Sequence, residues 1–206
     1  MPTPRLLMDN DALLKAAHWN LLDVVPTLAG GAWADSACLP TFPPRVHRVE
    51  SRLFADPEVA KALEAKLVLS TELPKPNPNV LDALQADPGI DAGELLLFGA
   101  LAASPESVLL TGDKRALRAV ACTSMKALFQ HRVVCVEQLL WRALDQLGAS
   151  ALVAQVRHWT PRDQTALAIF GRLGDKSEAD LRGGLGSYLR SLDDEAPGLL
   201  LRDFGL

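Results

Sequence analysis

Six acids in this 206-residue chain, Asp9, Asp11, Glu50, Asp91, Glu94 and Asp113, stand where a carboxylate can do more than solvate a surface. Asp9 and Asp113 each close an apolar run, RLLMD and SVLLTGD. Asp91 and Glu94 open the stretch DAGELLLFGALA three residues apart, which puts both on one face of a helix. Carboxylates brought together without matching cations repel one another, so a cluster of them persists only if protons or a cation compensate. Hard oxygen donors without a CxxC pair or paired histidines favour Mg²⁺ or Mn²⁺. Such an ion would bind a substrate oxygen and lower the pKa of a bound water. The carboxylates are then ligands and water-orienters, not nucleophiles.

Each candidate also has a structural use. Asp91 and Glu94 fit a D-x-x-E capping box, Asp113 can cap the helix KRALRAVA, and Asp11 or Asn10 can cap ALLKAAHW. Glu50 can be a solvated helix residue, with Glu58 and Glu64 on the next helix as substitutes. Asp9, directly after LLM, has no such ready alternative. Thr111 can bond a ligand or phosphate, or satisfy its own strand end. Lys15, Arg45, Arg48, Arg52, Lys114 and Arg115 can guide a phosphate backbone, although Lys114, Arg115 and Arg118 also read as the solvated face of one helix. His18 and Trp19 can stack a base or belong to the core.

Bringing the acids together requires strands that end at one edge. RLLMD, SVLLTGD and RVVCV read as short buried strands separated by helical stretches. That alternation implies parallel crossovers and a three-layer α/β/α sandwich with a mostly parallel sheet, whose sites form beyond the carboxyl ends of the strands. DALLKAAHWNLLDVVPTLAGG reads as two helical stretches, the second kinked or divided by Pro26 and ended by Gly30 and Gly31. The residues around ACLPTFPP read as a loop, and PPRVHRVESRLFA and DPEVAKALEAKL as helices, the latter opened by Asp56 and Pro57. ELPKPNPNV reads as a surface loop, KRALRAVACTSMKALFQ as one long helix and EQLLWRALDQLG as another. Beyond about residue 148 no strand signal returns: ALVAQVRHW, PRDQTALAIFGRL and SEADLRGGLGSYLRSL read as a helical C-terminal extension, dividing the chain into 1–148 and 149–206.

Composition narrows the class. With 49% hydrophobic and 22% charged residues the chain can bury a real core, which sets disorder aside. No apolar stretch approaches the roughly 20 residues of a membrane span. MPTPRLLMDND carries acids where a secretory leader would be apolar, so a soluble cytoplasmic protein is expected. Cys38, Cys122 and Cys135 lack metal or disulfide spacing and are expected as buried thiols. A net charge of -4 argues against a chain-wide electrostatic grip on nucleic acid and leaves local basic patches.

The order MDNDALL, VHRVESRL, DAGELLLFGALA and LLTGDKRALRAVA resembles that of the PIN-domain nucleases over roughly residues 5 to 140. The GELLL helix followed by TGDKRA is similar to the PIN-like branch found near toxin/antitoxin modules. Residue by residue, the resemblance puts the family's catalytic acids on Asp9, Glu50, Glu94 and Asp113, with Asp11 where a small polar residue is frequent. It implies a PIN-like domain with a Mg²⁺- or Mn²⁺-dependent endoribonuclease activity on single-stranded or structured RNA. Asp11, Thr111, Lys114 and Arg115 are then the substrate contacts, and an inhibitory antitoxin-like protein and a homodimer are the partners it suggests. Two other readings stay open. One is a catalytically inactive PIN-like adaptor, docking through the tail with Trp141, Trp159 and LLLRDFGL. The other is a haloacid-dehalogenase-like phosphatase, suggested by the D-x-D of Asp9 and Asp11 after a strand.

Overall fold

The computed structural model describes residues 3–50, 52–157, 159, 163–171 and 176–202. Four short strands, β1 (Leu6–Met8), β2 (Ser36–Cys38), β3 (Val108–Thr111) and β4 (Val133–Cys135), form a parallel sheet in the order β2-β1-β3-β4. The register pairs Met8 with Cys38 on one side and with Leu110 on the other, and Thr111 with Cys135. A parallel sheet covered on both faces needs apolar side chains on both, and these strands alternate between two cores. Leu6, Met8, Leu110 and Val134 point into one, and Leu7, Ala37, Leu109 and Val133 into the other.

The first core is closed by α1 (Asn10–His18), α2 (Phe42–His47), α3 (Pro57–Leu67), α7 (Val136–Leu147), α8 (Ala149–Val156) and α9 (Gln164–Phe170). The second is closed by α4 (Pro78–Leu84), α5 (Ala92–Ala103) and α6 (Lys114–Ala121). Helix α10 (Glu178–Glu195) serves both, with Leu181 and Leu185 in the first and Leu189 and Leu192 in the second. This is the three-layer α/β sandwich expected from the alternation of strands and helices. Among the described residues no helix is long and apolar enough to cross a membrane.

Several local expectations need correction. The loop around ACLPTFPP begins with a strand: Ser36, Ala37 and Cys38 have small side chains but lie in register with β1. The helix expected through PPRVHRVESRLFA ends at His47, because Val49 takes a left-handed φ of 49°. The long helix KRALRAVACTSMKALFQ stops at Ala121 and resumes as a 3₁₀ turn over Ser124–Phe129. ELPKPNPNV ends in a helix start, where the Asn77 side chain accepts from the Asn79 N–H and Pro78 takes the first position of α4. The second stretch of DALLKAAHWNLLDVVPTLAGG is a 3₁₀ turn over Val25–Ala29, ended by Gly30 at φ 60°. Cys38 and Cys135 are buried, whereas Cys122 is exposed. Two single-residue bridges flank the sheet, Ala37 with Thr71 beyond β2 and Val133 with Leu200 beyond β4, so one strand-like contact does return in the tail.

The tail aromatics pack within the chain. Trp159 stacks on His18 with ring centroids 4.8 Å apart, Arg182 lies over Trp141 at 5.3 Å, and Leu199 and Leu200 are buried. Residues 203–206 of LLLRDFGL, and parts of ALVAQVRHW and PRDQTALAIFGRL, lie outside the described residues. Trp19 is a core residue, and His18 bonds the Leu53 carbonyl through Nε2 at 2.9 Å.

Arg132, just before β4, ties the layers at their far edge. Its guanidinium donates to the carbonyls of Leu101 at 2.7 Å, Leu128 at 2.9 Å, Ser107 at 3.1 Å and Ser104. Close approach also governs Gly99 in α5. A Cβ there would lie 2.8 Å from Pro76 Cβ and 2.9 Å from Leu81 Cδ2, and the Gly99 carbonyl accepts from the Asn77 N–H at 2.9 Å. Gly99→Ala is therefore expected to destabilise by about 1–3 kcal/mol through overpacking, despite the better helix propensity of alanine. Urea unfolding of the variant measures this, and an unchanged or raised midpoint would show that the loop yields freely.

Candidate active site

The chain runs from β1 outward to β2, then crosses back over β1 to β3 and on to β4. The winding direction reverses between β1 and β3, and at such a switch point the carboxyl ends of parallel strands leave a crevice. A cavity of about 270 Å³ lies at this place, lined by Asp9, Asp11, Asp91, Glu94, Gly112, Asp113 and Lys114. Its acids come from three distant segments. Asp9 follows β1, and its N–H continues the ladder to the Leu110 carbonyl at 2.9 Å. Asp113 follows β3, where its N–H donates to Thr111 Oγ1 at 3.1 Å. Asp91 and Glu94 arrive on the N-terminus of α5.

Most of these carboxylates also hold local structure. Asp91 Oδ1 accepts from the Glu94 N–H at 2.8 Å and Glu94 Oε2 from the Asp91 N–H at 2.7 Å, so the capping box is formed. Asp113 Oδ1 accepts from the Ala116 N–H at 2.9 Å and caps α6. Asp9 occupies the N-cap position of α1 without a side-chain capping bond.

Electrostatics sort the acids. Glu94 is 7% exposed. Burial, with a hydrogen bond to the Asp113 carboxylate, pushes its carboxyl well above the usual range. Burial acts on Asp113 too, but the hydrogen bond from Glu94, the amides of Ala116 and Arg115 and the Arg115 charge outweigh it and hold Asp113 low. The two shifts run in opposite directions, so of the pair Glu94 is the carboxyl that holds a proton more tightly. Asp9 is pushed up to about 6 by burial and the Asp11 charge, against the amides of Gly112, Asn10 and Asp11. Cations are scarce. Lys15 Nζ is 3.0 Å from both Asp11 and Asp163, Arg115 is 3.9 Å from Asp113, and among the described residues no ion pair reaches Asp9, Asp91 or Glu94.

No protein-family model matches this chain, and no curated protein or solved structure matches it either. The site therefore rests on its own geometry.

Of the sequence-derived candidates, Asp9, Asp11, Asp91, Glu94, Asp113 and Lys114 line one cavity. Thr111 is buried, and its hydroxyl accepts a bond at its own strand end. Arg115 pairs with Asp113 at 3.9 Å. Glu50 does not line the cavity. It pairs with Arg45 at 3.1 Å and Arg48 at 3.5 Å, because α2 ends before it and the chain turns away. Those two arginines, expected as phosphate guides, are thereby committed to Glu50. Glu137 and Asp163 hold the lysines of this edge; each had a signal in the sequence, since Glu137 directly follows RVVCV and Asp163 precedes the helical run QTALAIF, although neither stands among the candidates above.

The donor set is all carboxylate oxygen, which suits Mg²⁺ or Mn²⁺. Among the described residues no group of three or more His, Cys, Asp and Glu side chains is arranged to hold a metal as it stands. The capping box and the Glu94–Asp113 hydrogen bond already engage oxygens of these acids. Proton and cation are alternative ways to neutralise the same cluster.

Proposed function

We propose that the cavity is the divalent-metal site of a PIN-like endoribonuclease. The observation that carries the reading is the convergence of five carboxylates, from three segments, on a switch-point crevice with too few cations to balance them. Asp9, Glu94 and Asp113 would hold the ion, with Asp91 beside them. A bound Mg²⁺ or Mn²⁺ supplies charge neutralisation at the phosphate and a bound water of lowered pKa. The protein's part is to hold Asp9 and Asp113 rigidly at the ends of neighbouring strands. Glu94 must release its proton to become a ligand, so ion binding is coupled to proton release and weakens as pH falls. Arg115, exposed beside Asp113, supplies positive charge for an RNA phosphate.

The test is cleavage of end-labelled single-stranded and structured RNAs with Mn²⁺ or Mg²⁺, against EDTA, alongside calorimetric Mn²⁺ titration. Metal-dependent cutting is the expected result. The complete capping of α5 and α6 by these same acids favours a second reading, a binding module whose carboxylates serve only as caps. Neither cutting nor Mn²⁺ binding would decide for it.

A further inference from the structure

Glu137 is the carboxylate that the metal reading leaves unused. It is the second residue of α7, just beyond β4, and is 2% exposed. Its Oε1 accepts from Lys114 Nζ at 2.7 Å, while Oε2 is buried with nothing better than the Cys135 thiol beside it among the described residues. A half-satisfied buried carboxylate is costly, and an apolar side chain at this helix position would avoid the cost. What distinguishes the position is Lys114, the one basic residue among the described residues that line the acid cavity. A lysine beside five carboxylates is drawn into them by Coulomb attraction. Yet its ammonium lies against Glu137, against Thr165 Oγ1 at 3.3 Å and over the Tyr188 ring at 4.4 Å. None of these three lines the cavity. Lys15 is held in a related way, shared between Asp11 and Asp163 at the N-cap of α9.

We propose that Glu137 is a positioning residue that, with Thr165 and Tyr188, holds the Lys114 ammonium out of the carboxylate cluster and keeps the cavity open to a divalent cation. This rests on the metal reading above. Without Glu137 the anions left to Lys114 are Asp163, already paired with Lys15, and the carboxylates of the cavity that Lys114 itself lines, where the lysine would take the place of the ion.

Glu137→Gln keeps the side-chain shape and removes the charge. Its Mn²⁺ affinity, measured by calorimetry on the full chain, is expected to fall about ten-fold, as a new cation at the site requires. Tyr188 is the only tyrosine, so its ring resonances report the departure of the ammonium. In the double variant Glu137→Gln with Lys114→Met, affinity should return to within about three-fold of wild type, because the competing charge is gone. A purely structural role would weaken both variants alike, and that result overturns the proposal. So does a single variant that binds Mn²⁺ like wild type with unmoved Tyr188 signals. Absence of Mn²⁺ binding by the wild-type protein overturns the metal reading itself, and this role with it.

Discussion

Asp9→Asn is expected to remove the RNA cleavage proposed above and, in EDTA at neutral pH, to make the protein more stable. Loss of one preorganised charged group from such a centre costs about 10²–10³-fold in rate. The stability gain follows from the carboxyl that burial and Asp11 push up to about 6. An acid whose folded pKa exceeds its unfolded one contributes stability while protonated and loses it as pH rises through the window between the two, here from about 4 to about 6. Above that window the ionised carboxylate costs up to about 3 kcal/mol, which asparagine does not incur. Melting curves at pH 4, 5.5 and 7.5 in EDTA measure the difference, expected to be near zero at pH 4 and largest at pH 7.5. Mn²⁺ should raise the wild-type melting temperature and leave that of the variant unchanged. A variant less stable than wild type at pH 7.5 would mean that Asp9 is a structural residue.

Arg132→Met should be the most damaging single change away from the cavity. Four carbonyls at the end of α5, the entry to β3 and the 3₁₀ turn before β4 converge on one guanidinium. Hydrogen bonds to a charged donor contribute more than neutral ones, so losing this set is expected to cost about 2–4 kcal/mol, part of it recovered by water at the half-buried site. Arg132→Lys should lose most of the same, since an ammonium cannot span four acceptors spread around a planar fork. Denaturant midpoints of the two variants test this. A lysine variant as stable as wild type would show that one or two of these contacts carry the effect.

The strands legible in the sequence were those with a continuous apolar run: LLM, VLLT and VVC each announce burial on both faces. Ser36–Cys38 lacked that run, because its partner strand supplies the register and its small side chains suffice at the sheet's margin. Helix starts with Asp or Asn before Pro were readable at Asp56, and the same rule applied at Asn77 would have found α4. Helix ends were less readable, since the left-handed turn at Val49 has no glycine to mark it. In the site, the strand-end rule located Asp9 and Asp113 and the capping spacing located Asp91 and Glu94. Glu50 was misplaced because its position depended on a helix that stops early. Glu137 and Asp163 act on the site through Lys114 and Lys15, and such pairings exist only once the layers are assembled.

The two bridges at the margins of the sheet bear on how this chain can meet others. Thr71 sits against Ala37 on one side and Leu200 against Val133 on the other, so neither outer strand offers a long bare row of N–H and C=O groups. Recruitment of a peptide as an added strand, and edge-to-edge fusion of two copies, both need such a row. Among the described residues the larger accessible surface for association is that of the helices, where side chains and not backbone groups would make the contact.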